Sequence, residues 1–335
     1  MRNSSGPLMF LARASFARFG PEIMKKKISI VTSAYNEEGC VGELLKQLSD
    51  VFEANPAYDF EAIVVENGST DKTFEKLMEI RERHSWVKIV RLSRNFRMDG
   101  GITAGLNYAS GDAVVFMTSN LQDPPPVISE FIKKWEEGYE HVYGVVKARP
   151  GKSFLRRVNS ELFYMILNLL TQNMIPRNVS DFRLMDRKAY VTINQMPERN
   201  RFMRGLFAWV GFKSIGVEFE RAKRFAGVSH APFWKVLELA VKGILAFSYV
   251  PIQAISVFGL VLAFGSLLYF AFNVFKMVAF GVPFAGYGTI VSLILVLFGF
   301  VFLLLGILAQ YLAQIYEEVK ARPNFIVSEV VGLKE

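Results

Sequence analysis

Residues 116 to 125 read FMTSNLQDPP: an apolar run breaks off at Thr118, Ser119 and Asn120, and Gln122 and Asp123 follow before three consecutive prolines. Open α/β sheets bind their ligands at strand-to-loop exits of this kind. The tip offers two hydroxyls and an amide carbonyl, and no carboxylate. Magnesium and manganese prefer hard, anionic oxygens and complete their shells with water and phosphate. A cation at this tip is therefore expected to bind weakly until an anionic ligand brings charge of its own. Other familiar chemistry is missing. No His/Cys/Asp cluster has zinc spacing, and Cys40, the one cysteine, excludes an intrachain disulfide. SAYNEEG follows the first apolar strand in place of a glycine-rich dinucleotide fingerprint, and no P-loop lysine motif occurs. Both facts argue against a dehydrogenase or a P-loop enzyme.

The elements that must position this loop alternate regularly. Apolar, β-branched runs at ISIVTS (28–33), FEAIVVE (60–66), VKIVRLS (87–93), AVVFM (113–117) and HVYGVVKA (141–148) read as strands. Between them, Glu38–Val51, Asp71–Arg83, Gly101–Tyr108 and Val127–Glu137 read as helices. Alternation of this type predicts a parallel sheet with helices on both faces, and near-continuous apolar strands are what burial on both faces requires. Further on, Phe154–Leu170 has amphipathic helical spacing, DFRLMDR (181–187) reads as a short strand into a turn, Phe202–Val210 as a helix, and SIGVEFE (214–220) as a half-exposed strand. These elements delimit a domain over 27–231, preceded by a basic arm at 1–26.

The remainder is apolar. From Gly243 to Phe275, and again from Met277 to Tyr316, there is no Asp, Glu, Lys or Arg. A bilayer crossing takes about 20 apolar residues, so two spans are expected within 250–316, near 252–275 and 290–310. Before them, 232–249 places Phe233, Trp234, Leu237 and Val241 on one helical face and Lys235, Glu238 and Lys242 on the other, the pattern of a helix lying in the membrane interface. Lys235 and Lys242 precede the first span, Lys320 and Arg322 follow the second, and the connection carries only Lys276. The positive-inside rule then puts the large domain and a tail at 317–335 in the cytoplasm. The formal charge of +8 suits an anionic inner leaflet, and no nucleic-acid partner is needed to explain it. Neither span carries an ionisable residue, which argues against a transporter. Small residues in the spans leave room for packing against further copies of the chain.

AYNEEG, ENGSTD, LSRNF, NLQDPP, DFRLMDR, PERNRFMRGL, RFAG, two spans and IYEEVKARP occur in this order. Over residues 27 to 328 the chain resembles the membrane-bound family 2 glycosyltransferases of the polyprenyl-phosphate type, the group of dolichol-phosphate mannose synthase and the bactoprenol glucosyltransferases. The resemblance implies an α/β GT-A (Rossmann-like) domain with a C-terminal two-helix transmembrane hairpin in a bacterial inner membrane. It also implies inverting transfer of one sugar from a UDP- or GDP-linked donor to a polyprenyl phosphate, assisted by Mg2+ or Mn2+. A processive synthase would need a Gln-x-x-Arg-Trp motif and more spans, neither of which is present.

Carried onto this sequence, the resemblance assigns Asp181 to the reacting centre. It assigns Tyr35, Glu37, Asn67, Arg94, Thr118 and Ser119 to the nucleotide-sugar, and Arg156, Arg183, Arg204 and Arg224 to the acceptor and diphosphate. Asn120 and Gln122 fall to a weakened metal site. The sequence departs from the family at its carboxylates: two aspartates become Glu66-Asn67, and the Asp-x-Asp metal motif becomes Thr118-Ser119-Asn120. A second reading follows from that loss, a catalytically impaired membrane scaffold built on the transferase fold.

Overall fold

Ala34, Glu66 and Thr118, three residues widely spaced in the chain, end adjacent strands of one sheet. The computed structural model describes residues 25–147, 179–199, 201–222, 250–280 and 287–333. In chain order the strands are β1 (Lys27–Ala34), β2 (Asp59–Glu66), β3 (Val87–Leu92), β4 (Ala113–Thr118), β5 (His141–Val146), β6 (Val179–Asp186), β7 (Ser214–Phe219) and β8 (Val327–Val331). They form one sheet ordered β7-β5-β6-β4-β1-β2-β3-β8. The expected parallel sheet is in fact mixed: β6 runs antiparallel to β4 and β5, and β8 runs antiparallel to β3. Apolarity reports burial of a strand and carries no information about its direction, which is why the two reversals are invisible in the sequence.

Helices α1 (Val41–Ala54), α2 (Thr73–Arg83) and α4 (Ile128–Glu136) cover one face. The opposite face takes α3 (Arg97–Tyr108), α5 (Arg187–Gln195) and α6 (Met203–Trp209). The expected turn after Asp186 is helix α5, whose start is capped by the Asp186 carboxylate accepting from the Lys188 amide. On α1 the buried Val41, Leu44, Leu45, Leu48 and Val51 recur at the three- and four-residue spacing of one helical face. Helix α3 approaches β1 unusually closely because Gly105 lies against Val31; a Cβ there would sit 2.2 Å from Val31 Cγ1. This close approach brings the first turn of α3 to the carboxyl edge of the sheet.

At the opposite edge a buried carboxylate ties three strands' starts together. Glu61 Oε1 accepts from the hydroxyls of Ser29 (2.6 Å) and Ser110 (2.8 Å), and Oε2 lies 2.7 Å from both Lys27 and Lys88. Burial alone would raise the Glu61 pKa, but the two ammoniums and two hydroxyls outweigh it and lower it from 4.5 to about 2. Since the folded value lies below the unfolded one, this stabilisation is complete above the unfolded pKa and drains as pH falls toward the folded one. With solvent around both lysines allowed for, Glu61→Gln is expected to cost about 2 kcal/mol at neutral pH and almost nothing near pH 2. Denaturant unfolding of the purified protein at both pH values checks this.

Two long helices follow, α7 (Val250–Phe280) and α8 (Tyr287–Lys320), which touch through Phe258 and Phe300 at 5.1 Å between ring centroids. Both extend beyond the expected spans. Among the described residues, Val296–Lys320 is the segment long and apolar enough to cross a membrane, with a mean hydropathy of 2.3 and none of it buried. The expected interfacial helix at 232–249 and the amphipathic helix at Phe154–Leu170 lie outside the described residues, as does most of the N-terminal arm. The expected tail at 317–335 is more than a tail: α8 continues to Lys320, Ala321 turns the chain with φ of 50°, and the chain re-enters the sheet as β8. Arg199 N–H donates to both Glu318 carboxylate oxygens (3.0 and 2.9 Å), Ser93 N–H to the Ile326 carbonyl (2.9 Å), and Phe325 and Val327 pack on the α3 side of the core. The foot of α8 is thereby fixed at the carboxyl edge of β3.

Candidate active site

The carboxyl ends of β1, β2 and β4 surround a cavity of about 260 Å³. Tyr35, Glu37, Asn67, Thr118, Ser119 and Asn120, all expected there from the sequence, line it together with Arg97. Its rim is stiff because two loops are stitched together. Asn36, held at φ of 54°, accepts from Thr70 N–H (2.8 Å), Thr73 Oγ1 accepts from Glu37 N–H (2.9 Å), and the Glu38 carboxylate accepts from Lys72 N–H (3.0 Å). The Ser-Thr-Asp part of ENGSTD thus serves the rim. Gly68 (φ 71°) permits the turn, since a Cβ there would fall 2.5 Å from the Arg94 carbonyl carbon. Tyr35 remains 43% exposed at the mouth, which leaves an aromatic face available for stacking.

Asn67 lines the cavity, but its amide is spent on its own wall. Oδ1 accepts from Phe96 N–H (2.9 Å) and Nδ2 donates to the Arg97 carbonyl (2.8 Å). An aspartate could make the first bond and not the second, so the departure from the family at this position matches the local backbone. Arg97 itself has φ of 60°, an uncommon conformation for a residue with a side chain. Glu66 points away from the cavity, bracing Ser69 N–H (2.5 Å) and facing Arg91 Nε at 3.4 Å.

The β4 loop is closed on itself. Thr118 Oγ1 donates to Asp123 Oδ2 (2.6 Å) and lies 3.0 Å from Asn120 Oδ1; Gln122 N–H donates to Asn120 Oδ1 (3.1 Å), and Asn120 Nδ2 donates to Gln122 Oε1 (3.2 Å). The carboxylate missing from the tip stands behind it. Asp123 is fully buried, and its other oxygen accepts from Ser180 Oγ (3.1 Å), tying the β4 tip to the start of β6. Sequence reasoning assigned Asp123 no role; its one signal is an acid directly before the prolines. Among the described residues no group of three His, Cys, Asp or Glu could hold a metal ion. The amide carbonyls of Asn120 and Gln122 are neutral hard oxygens of the kind a cation arriving with an anionic ligand would share, and each already accepts a bond within the loop.

On β6, Asp181 is buried and gripped by the Arg204 fork, Nε to Oδ1 at 2.6 Å and Nη2 to Oδ2 at 2.5 Å. Burial would raise the Asp181 pKa, but Arg204, with the charges of Arg183 and Arg221 nearby, outweighs it and holds the carboxyl below the usual range. A carboxylate of this kind makes a poor proton acceptor and a firm anchor for a guanidinium. Arg183, also expected to meet phosphate, is sunk in the fold: it donates to the carbonyls of Asp181 (3.1 Å) and Ser180 (2.9 Å) and lies over the Phe207 ring at 4.1 Å. Burial lowers its pKa to about 10. A second cavity of about 250 Å³ adjoins this pair, lined by Arg183, Arg204, His141 and Tyr143. Burial first, and the Arg183 charge second, depress His141 to about 3, so it is neutral at physiological pH. Arg94 lines a neighbouring cavity instead of this one, and Arg156 and Arg224 lie outside the described residues.

Residues 29–193 match Glycosyl transferase family 2. Over 311 residues the chain is 40% identical to an uncharacterized glycosyltransferase of Synechocystis sp., covering 93% of this chain and 98% of that protein. Over 303 residues it is 37% identical to the SfII prophage-derived bactoprenol glucosyl transferase of Shigella flexneri, covering 90% and 98% respectively. The chain belongs to glycosyl transferase family 2. A solved glucosyl-3-phosphoglycerate synthase from Mycobacterium tuberculosis aligns with this family 2 glycosyltransferase over 66% of its length and 76% of the synthase, at 22% identity and a TM-score of 0.48. In the transferase, then, both the neutral β4 tip and the Glu66-Asn67 pair lie within the residues matched to the family.

Proposed function

We propose that this transferase moves a single sugar from a UDP- or GDP-linked donor to a polyprenyl phosphate at the cytoplasmic face of a membrane, with inversion at the anomeric carbon. The observation that carries the reading is the placement of α8: the foot of an exposed apolar helix is bonded to Arg199, and the chain just beyond it to Ser93 at the end of β3, on the carboxyl edge of the sheet where the cavity opens. A lipid-borne acceptor and a water-borne donor would meet there. The bactoprenol glucosyl transferase relatives support a polyprenyl phosphate as acceptor.

In this mechanism the acceptor phosphate, anionic near neutral pH because its second pKa is about 6, attacks the anomeric carbon directly. One carbon–oxygen bond forms to the acceptor as the bond to the nucleotide diphosphate breaks, so no side chain has to remove a proton. Tyr35 and the rim loops hold the base and ribose. Asp181 orients Arg204, whose side chain is 45% exposed, toward the phosphates, and Asp123 keeps the β4 tip in register with β6. Asn120 and Gln122 are the residues that would hold a Mg2+ or Mn2+ ion, which when bound supplies positive charge to the departing diphosphate. The bracing around Asp123 and Asn67 favours a working site over an impaired scaffold.

Membranes containing the protein, given undecaprenyl phosphate and radiolabelled UDP- and GDP-sugars with and without manganese, are expected to put label into an organic-extractable, acid-labile lipid. No labelled lipid from any donor would overturn the proposal.

A further inference from the structure

A cavity of about 430 Å³ lies where the foot of α8 meets the domain, lined by Arg94, Arg97, Arg199, Arg322, Glu317 and Asn324 among others. Four arginines and one acid, Glu317, are among its lining residues; Glu317 lies 3.4 Å from Lys320, the neighbouring Glu318 carboxylate accepts from the Arg199 N–H, and the Arg94 guanidinium lies over the Phe96 ring. The charge-free run of α8 ends at Tyr316, so Glu317 to Arg322 enter the headgroup layer, about 6 Å thick, directly below the hydrocarbon. The left-handed turn at Ala321 puts Arg322 just past the helix end, among the cavity-lining residues. This is not the reaction centre. Four strand spacings, from β6 to β3, separate Asp181 from the Arg94 loop, roughly 19 Å along the sheet edge.

We propose that this cavity binds the phosphodiester headgroup of an anionic phospholipid from the leaflet on which the domain sits. Arginine forks match phosphate oxygens two at a time, and a basic pocket at the cytoplasmic end of a membrane helix is well placed for such a head. Asn95 and Arg97 line both this cavity and the donor cavity, so the lipid steadies one wall of the donor site as it holds the domain to the bilayer. The site rests on the membrane reading and not on the sugar chemistry, so lipid retention and lipid-linked sugar formation fail separately.

Native mass spectrometry of the full-length protein in detergent, titrated with phosphatidylglycerol, phosphatidylcholine or inorganic phosphate, tests it. The wild type is expected to retain one phosphatidylglycerol in preference to phosphatidylcholine, and millimolar phosphate is expected not to displace it. Removing two charge-assisted contacts in R199A/R322A is expected to weaken that retention roughly tenfold or more. Should the double variant not fold, Arg322→Gln alone is expected to give a several-fold loss. Equal retention of the two lipids, displacement by inorganic phosphate, or unchanged retention in whichever variant folds would overturn the proposal.

Discussion

Asp181→Asn is expected to slow sugar transfer by roughly two to three orders of magnitude while nucleotide affinity changes by less than about threefold. The asparagine keeps the shape of the side chain but accepts only one of the two bonds that the Arg204 fork now makes at 2.6 and 2.5 Å. Arg204 would then sample several directions, and its charge would no longer be fixed where, on the proposed mechanism, the diphosphate leaves. Because that arginine is half exposed, the associated loss of stability is expected to be only about 1–2 kcal/mol. Single-turnover rates, nucleotide titrations and melting curves separate these effects. Arg204→Lys should repeat the rate loss with a smaller stability loss, since the charge is kept and the fork is not. A variant with lowered melting temperature and an unaltered rate would reduce the pair to a structural brace.

The second large effect concerns the β4 tip. Asn120→Asp is expected to tighten manganese binding in the presence of UDP by roughly tenfold or more, because a single added charge close to a divalent ion gains a few kcal/mol at the effective dielectric of a protein surface. The carboxylate can still accept from Gln122 N–H, and what it gives up is the 3.2 Å bond to Gln122 Oε1. Calorimetry with and without UDP measures the change, and turnover is expected to rise at low manganese. If affinity does not move, Asn120 and Gln122 are not the metal ligands.

Much of this site was legible because loops at strand ends inherit their neighbourhood from the sheet. Once ISIVTS, FEAIVVE and AVVFM are parallel neighbours, Tyr35, Asn67 and Asn120 must share an edge. What escaped is what depends on direction and depth. Arg183 and Arg204 both stand in recognisable motifs, yet one is swallowed beneath Phe207 and the other reaches solvent, because α6 packs over the first. The buried network around Glu61 joins residues from four separate segments, and nothing local in EAIVV announces it. Strand β8 is five residues, VSEVV, at the sheet margin, too short and too exposed to imprint a pattern.

That last strand has a mechanical consequence. If α8 spans a bilayer as proposed, the polypeptide that leaves it is laced at once into the sheet, and the catalytic body would have little slack with which to search. On that proposal it would not swing outward to collect a carrier, and would wait for one to drift past its mouth. Encounter with the proposed lipid-borne acceptor would then be a two-dimensional problem, governed by how fast long isoprenoids wander in the plane, while the proposed sugar donor would be sampled from the open side.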